Sequence, residues 1–447
     1  MNRKVTPNPY FIFSPFLFYY AYYIIKNKWP TLYGDEIRYV DFARNLMHGF
    51  YSPNAPHINL WNGPGYPVLL LPFVALKIPA IYTTLMNAVY QYLSVVFLYK
   101  ALKLVANHRT ALIFGLLLAI YPNALSILPI LYTEAFTYFL VSSVIYALTL
   151  YYTERSNKYL VIAGLLLGCL TLTKIIFGYV LIIGVLTCVS VLLFKKNKNY
   201  YYKALKTLAI AFAVTIPYLV YTYSLTGKAF YWGDSGGMSL YWMSTPYEHE
   251  YGDWKIPNLS NNQYPTLFKS VEGDDILKKN HSKEISSILK HNEMEQDELF
   301  KQAAINNIKK DPLKFISNYY CNWARMLFNF PYSYAYQDSA ILGNILRGSL
   351  ILWASVIGII ISWRNWKRLI YPVKFLLLIT GIYLLLSGAL SAYPRQFDVI
   401  LPVLLFWMGF LKFNVQKPDL MFAPEENLDD ISLNDLAGMD ISIPGVK

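Results

Sequence analysis

The stretch IIFGYVLIIGVLTCVSVLLF, Ile175–Phe194, contains no charged residue and runs straight into Lys195, Lys196 and Lys198. An apolar run of this length crosses a hydrocarbon core of roughly 30 Å as a helix, because only a helix satisfies all of its backbone groups without water. Lys203 and Lys206 stand at the head of the next run, Ala204–Ser224. The lysines between two spans mark a cytoplasmic break. Working outward, further breaks hold Lys100, Lys103 and Arg109, then Arg155 and Lys158, then Arg364, Lys367 and Arg368. All fall on one side if the spans are Tyr10–Ile25, Ala80–Val105, Thr110–Pro129, Glu134–Tyr152 and Lys158–Thr173, with Ile345–Trp363, Leu369–Leu390 and Phe397–Phe413 closing the chain. The pattern predicts an all-α polytopic membrane protein of about ten crossings with a cytoplasmic N-terminus. Tyr66–Lys77 is too short to cross and is expected to lie in the interface or re-enter.

The composition agrees. The chain has 447 residues, of which 55% are hydrophobic, 17% aromatic and only 15% charged, which excludes a purely water-soluble protein. The net charge of +12 would suggest nucleic acid in a soluble chain. Here the cations cluster in the short breaks, so they read as topology signals and no nucleic-acid partner is expected. Cys169, Cys188 and Cys321 make neither a disulfide framework nor a zinc set. No small-residue cleavage site follows the first run, so it is kept as a span. Residues 1–224 form a transmembrane core whose first outer loop is 26–66, and 342–416 carry the last spans. Between them hydropathy collapses over 225–341. Gly233, Gly236 and Gly237 are expected to loosen the chain there, and Gly273–Gln302 looks helical, giving an α-rich extracytoplasmic domain. The acidic tail, 417–447, with Glu425, Glu426, Asp429, Asp430, Asp435 and Asp440, is expected to be disordered in the cytoplasm.

With sides assigned, Asp35, Glu36, Glu134, Lys174 and Arg395 all fall at the outer ends of spans. Ionisable groups at membrane depth are costly and face a cavity or a partner, so their convergence marks a candidate site. Asp35 and Glu36 open a helix with Ile37, Val40, Ala43 and Met47 on one stripe and Arg38, Asp41, Asn45 and His48 opposite; Gly49 ends it. Asp35 is either the N-cap of that helix or a general base for an incoming hydroxyl or amine. Lys174 either snorkels from a helix end or binds an anion, and Arg395 either pairs with Asp398 or does the same. Cations in short outer turns run against the positive-inside bias, and phosphate suits a guanidinium fork plus an ammonium.

In order along the chain these motifs resemble the GT-C superfamily of membrane glycosyltransferases that use a polyprenyl-phosphate sugar donor. The resemblance is strongest to protein mannosyltransferases and lipid A aminoarabinose transferases. It rests on Gly34-Asp35-Glu36 after the first span and the helix Tyr39-Val40-Asp41-Phe42-Ala43-Arg44-Asn45-Leu46. Further along it rests on the turn Asn62-Gly63-Pro64-Gly65-Tyr66-Pro67, on Glu134 in Tyr132-Thr133-Glu134-Ala135-Phe136, on Thr173-Lys174, and on Arg395 with Pro402 behind it. The likeness runs from about Tyr10 to Phe413 and leaves out much of the 225–341 segment. Two departures stand out: some relatives have a lysine where this chain has Asn62, and an aspartate where it has Glu134.

The resemblance implies an inverting transfer on the outer face of the membrane. Asp35 takes a proton from the acceptor, while Lys174 and Arg395 stabilise the departing polyprenyl phosphate. Glu36 and Glu134 orient sugar hydroxyls or hold a divalent cation, Mg or Mn, although the chemistry requires none. Asn62 and Tyr66 are further substrate contacts. Tyr332, Tyr334 and Tyr336 suit sugar stacking or interfacial anchoring. The acceptor is a lipid, glycan or protein of the cell envelope, and the bilayer's own lipids are the remaining partners. The absent signal peptide, the composition and the compact loops point to a bacterial inner membrane; an endoplasmic-reticulum home stays open. A polymerase or ligase using a lipid-diphosphate glycan is the nearer rival. A lipid-linked glycan transporter fits less well, since the span centres are apolar, and a non-catalytic scaffold would tolerate amides at the acidic pair.

Overall fold

The structure, a computed structural model, describes residues 8–194, 199–256, 271–334 and 341–416. Lys195, Lys196, Lys198, Tyr336 and the acidic tail lie outside the described residues. Among the described residues every regular element is helical. In chain order these are α1 (Pro9–Ile12), α2 (Ser14–Asn27), α3 (Asp35–Met47), α4 (Gly65–Ala75), α5 (Ala80–Val105), α6 (His108–Ala119), α7 (Pro122–Ile127), α8 (Glu134–Glu154), α9 (Asn157–Thr173) and α10 (Ile176–Phe194). They continue as α11 (Asn199–Thr226), α12 (Gly236–Met243), α13 (Val271–Ile288), α14 (Glu293–Lys310), α15 (Pro312–Phe328), α16 (Ile341–Arg364), α17 (Tyr371–Gly388), α18 (Pro394–Asp398) and α19 (Leu401–Gln416).

Six of them, α5, α8, α10, α11, α16 and α17, are long and apolar enough to cross a membrane, while α4, α6, α9 and α19 are apolar but shorter. In the bundle α5 packs on α8, α8 on α9, and α9 on α11, with α2, α6, α17 and α19 around them. With no water inside to drive helices together, polar contacts fix their register. Ser94 of α5 and Ser142 of α8 share a hydrogen bond of 2.9 Å, and the Tyr20 hydroxyl donates to the Ala119 carbonyl at 2.7 Å. Asn87 of α5 donates to the carbonyls of Leu128 and Ile130 at 3.0 and 2.9 Å. It thereby pins the turn that leads into Glu134.

Prolines divide three of the expected spans. Thr110–Pro129 is two helices, α6 and α7, because Pro122 lacks the N–H that would continue the ladder and holds Tyr121 extended at φ −63°, ψ 119°. Phe13 separates α1 from α2 just before Pro15. The last span starts at Leu401, with Pro402 in its first turn and the short α18 before it.

Helices α12, α13 and α14 enclose a core of their own, built on Met238, Tyr241, Trp242, Leu277, Ile285 and Phe300. Gly233 and Gly237 do not loosen this segment but are packed closely in it, and Gly236 opens α12. The Gly237 N–H donates to Asp297 Oδ1 at 2.6 Å, and a Cβ there would lie 1.9 Å from the Asp297 carbonyl oxygen. The helical stretch expected around Gly273–Gln302 is α13 and α14, divided at Asn292, whose side chain caps α14 by accepting from the Glu295 N–H at 3.0 Å.

Candidate active site

The site is assembled at one end of the bundle from α3, the Asn62–Gly65 turn, the starts of α8 and α18, and the end of α9. Gly34 sets the entry to α3. Its φ of +57° belongs to the left-handed half of backbone space, and a Cβ there would meet the Tyr132 hydroxyl at 3.7 Å. Asp35 is therefore the first helical residue, not the N-cap, and no side chain caps the helix. Its two oxygens take one guanidinium each: Oδ1 lies 3.3 Å from Arg38 Nη1 and Oδ2 lies 3.3 Å from Arg395 Nη1.

The turn before α4 is pressed onto the end of α9. A Cβ on Gly63 would sit 2.1 Å from the Leu172 carbonyl oxygen, and one on Gly65 would sit 2.6 Å from Thr173 Oγ1. Only glycines allow that approach, and it brings Asn62 beside the Lys174 corner. Asn62 accepts from Arg38 at 3.5 Å, donates to the Tyr39 hydroxyl at 3.4 Å, and receives the Tyr51 hydroxyl on its carbonyl at 2.7 Å. Arg38 also lies over the Trp61 ring, 4.9 Å from its centroid.

Lys174, at the end of α9, reaches Glu134 Oε1 at 2.9 Å, and Glu134 at the head of α8 is only 3% exposed. Arg395 lies over the Tyr132 ring at 5.4 Å. Burial works against its charge, but Glu134 and Asp35 together override that and hold the guanidinium above its ordinary range. Arg38, Lys174 and Arg395 stand against Asp35 and Glu134, which leaves one positive charge in excess. Such a cluster fits an anion with more than one oxygen.

Glu36 points elsewhere. It is 3% exposed, pairs with Lys28, accepts from the Tyr33 N–H at 3.0 Å and from the Leu131 N–H at 2.7 Å. It ties α2, α3 and the Leu131 turn together. Tyr66 is 1% exposed, its ring edge-on to Tyr39 at 5.2 Å. Arg395 is not Asp398's partner: Asp398 is held by the Tyr121 hydroxyl at 2.7 Å and by Asn123 at 3.0 Å. The stripe expected on α3 is turned as well. Glu36, Tyr39, Val40, Phe42 and Ala43 are buried, whereas Ile37 and Met47 are each 47% exposed. Tyr334 donates to Glu250 Oε1 at 2.8 Å and Tyr332 to Asn329 Oδ1 at 2.6 Å, so both hydroxyls are engaged locally.

Among the described residues no group of three or more His, Cys, Asp or Glu side chains could hold a metal ion. The donor chemistry agrees. Each carboxylate of the site already faces a cation, and Glu36 and Glu134 are bonded to different partners, so the residues as arranged do not form a cation cradle.

Residues 77–221 match the family described as dolichyl-phosphate-mannose-protein mannosyltransferase. That match covers about a third of the chain, 145 of its 447 residues. The matched segment runs from just before α5 into α11 and carries Glu134 and Lys174. No curated protein matches this chain. Among solved structures it is similar to the protein O-mannosyltransferase Pmt1–Pmt2 complex of S. cerevisiae bound to the sugar donor, with 20% identity and a TM-score of 0.38 over 50% of this chain and 34% of that one. It is similar to the oligosaccharyltransferase of Archaeoglobus fulgidus in the apo form, with 15% identity and a TM-score of 0.47 over 89% of this chain and 50% of that one. It is also similar to the oligosaccharyltransferase AglB from that organism in complex with an inhibitory peptide and a dolichol-phosphate, with 14% identity and a TM-score of 0.44 over 91% and 51%. The chain spans about half or less of the length of the structures it matches.

Two residues of the site escaped the sequence. The helical pattern puts Arg38 opposite the apolar stripe, although its i+3 spacing from Asp35 is the signal of a helical ion pair. Lys28 carries no comparable signal: nothing local in the sequence marks it as the partner of Glu36 eight residues on.

Proposed function

We propose that this chain transfers a sugar from a polyprenyl-phosphate donor to a cell-envelope acceptor, lipid, glycan or protein, at the outer face of a bacterial inner membrane. The observation that carries the reading is the excess of cations gathered around Asp35: a base and an anion site share one cluster. The donor phosphate lies between Arg395 and Lys174. The acceptor oxygen attacks the anomeric carbon from the opposite face and a new glycosidic bond forms. The bond from that carbon to the phosphate oxygen breaks, and its electron pair leaves with the polyprenyl phosphate. The acceptor proton passes to an Asp35 oxygen. The leaving group gains one negative charge, which the guanidinium and ammonium stabilise as it develops.

The supporting residues divide the remaining work. Arg38 and Asn62 fix the Asp35 carboxylate and line the sugar side, and Tyr66 backs Tyr39 beneath them. Glu134 keeps Lys174 and Arg395 apart from each other's charge, and Glu36 holds α3 in place. No step runs through a metal. In this topology about ten helices cross, α2 and the shorter α6, α9 and α19 together with the six long ones, while α4 lies in the interface and residues 225–341 lie outside, where an acceptor is presented.

The test is release of polyprenyl phosphate from a panel of polyprenyl-phosphate sugars by membranes carrying the wild type, Asp35→Asn or Arg395→Ala. Turnover of one donor that is lost in Asp35→Asn with the protein still folded is the expected result. Turnover of lipid-diphosphate glycans alone would instead favour a polymerase or ligase.

A further inference from the structure

α15 wears its polarity inward. Asn318, Asn322 and Arg325 are fully buried, while Leu313 and Tyr320 on the other face are 75% and 70% exposed. The Asn322 amide nitrogen donates to the carbonyls of Ser387, Gly388 and Leu390 at 3.1, 2.9 and 2.6 Å. It thus meets the carbonyls of Ser387 and Gly388 at the end of α17 and that of Leu390 just beyond it. The Asn322 carbonyl oxygen accepts from the Ala392 N–H at 2.9 Å and from Arg325 Nη2 at 2.7 Å. Arg325 in turn donates through Nε to the Ala392 carbonyl at 2.9 Å and through Nη1 to the carbonyls of Tyr251 and Pro331 at 3.1 and 3.0 Å.

A buried guanidinium whose direct acceptors are all neutral is costly to desolvate. Its Ala392 bond, together with the four backbone groups Asn322 holds between Ser387 and Ala392, ties α15 to one short stretch of chain. That stretch is also gripped by Ser391, which donates to the Gly252 carbonyl at 2.6 Å, and by Tyr393, which donates to the Trp254 carbonyl at 2.9 Å. Three residues beyond Ala392 comes Arg395, which reaches Asp35 at 3.3 Å.

We propose that Asn322 and Arg325 are positioning residues for Arg395: through the 387–393 turn they set where its guanidinium stands relative to Asp35 and Lys174. α15 thereby acts on the donor-phosphate site without touching the donor. This rests on the reading of Arg395 as a phosphate ligand, and the test separates the two. Asp35→Cys and Arg395→Cys are introduced together with Cys169→Ser, Cys188→Ser and Cys321→Ser in the full-length protein, and the rate of bridging by a short bis-maleimide is measured. Adding Asn322→Ala is expected to slow bridging at least fivefold. Tyr393→Phe, which deletes a single hydroxyl from the same turn, is expected to slow it about twofold and serves if Asn322→Ala does not fold.

In the enzyme with its native cysteines, Asn322→Ala is expected to raise the KM for the donor about tenfold while leaving the KM for the acceptor unchanged, and to add nothing further in an Arg395→Ala background. Bridging unaffected by either variant, or effects of Asn322→Ala and Arg395→Ala that multiply in full, would overturn the proposal. A donor KM insensitive to Arg395→Ala, with bridging still slowed by Asn322→Ala, would instead sink the phosphate reading and leave the positioning intact.

Discussion

Replacing Asp35 by asparagine separates the chemistry of the site from its architecture. Asparagine keeps the shape and loses the charge and the proton acceptor. The two ion pairs it breaks are partly solvated, with side-chain exposures of 24% for Asp35, 33% for Arg38 and 35% for Arg395, and both sit at 3.3 Å. Pairs so exposed are worth about 0–1 kcal/mol each, so the cost to stability is about 1 kcal/mol and the melting temperature falls by a few degrees at most. Loss of a general base costs about 100- to 10,000-fold in turnover. The third consequence runs the other way. Arg395 loses a competing anion, so polyprenyl phosphate is expected to bind about as well as before or a few-fold tighter, the effect of about 1 kcal/mol of relieved competition. Thermal unfolding, product release and equilibrium binding of polyprenyl phosphate to the same purified sample read the three terms. A folded Asp35→Asn that turns over within tenfold of wild type, or that binds the phosphate far more weakly, would refute the assignment of Asp35 as base beside an anion site.

Gly63→Ala places a Cβ 2.1 Å from the Leu172 carbonyl oxygen, so the turn must lift off α9; donor turnover is expected to fall at least tenfold with the fold retained, checked by activity alongside size-exclusion chromatography. Glu134→Gln removes the carboxylate 2.9 Å from Lys174 Nζ and leaves the site more cationic; polyprenyl phosphate is expected to bind more tightly and leave more slowly, seen as a lower inhibition constant for that product. Asp234 is raised to about 7, first by burial, opposed by the Leu60 N–H at 2.7 Å, with Asp297 adding to the rise. Its folded-state value lies above the unfolded one, so its contribution to stability is complete near pH 4 and is lost as pH rises through about 7. In Asp234→Asn that part of the pH dependence disappears, and melting curves from pH 5 to 8 that keep the wild-type slope would contradict it.

What the sequence discloses follows from the range of the interaction that decides each feature. Spans such as α10 are legible because one hydrocarbon slab imposes one length on an apolar run. Breaks inside apolar sequence, at Pro122 and Pro402, are legible only if the proline is allowed to outrank hydropathy. The face of α3 is not legible. Glu36 turns inward because Lys28 and the Leu131 N–H await it, and Phe42 because Tyr51 stacks on it at 4.5 Å, and none of these three partners lies on the helix itself. Four charges of the site, Asp35, Glu134, Lys174 and Arg395, are assigned to one rim by the topology, but Arg38 and the pairing are not. Asp35 meets Arg395 across 360 residues and Glu134 meets Lys174 across 40, contacts that no local pattern encodes. Asn322 and Arg325 are harder still, since buried polar residues on a helix with an apolar outer face invert the usual rule for amphipathic helices.

The pairing of the site's charges bears on how a base and a phosphate site can share so small a volume. In the structure both Asp35 oxygens are engaged by guanidiniums, and Lys174 is engaged by Glu134. Cations left bare at the edge of a bilayer would be expensive, and carboxylates beside them lower that cost. On the reading proposed here, the donor phosphate competes for the same cations. Each guanidinium contact it takes from Asp35 frees a carboxylate oxygen facing the anomeric carbon, where the acceptor proton must go. Donor binding and exposure of the base are then one electrostatic exchange, and a site without donor offers no free carboxylate to an acceptor. The same logic explains why the two signs of charge come from distant parts of the chain, Asp35 from the first connection and Arg395 from the last: a pair that must open when the donor arrives is better placed on separate elements than locked within one helix.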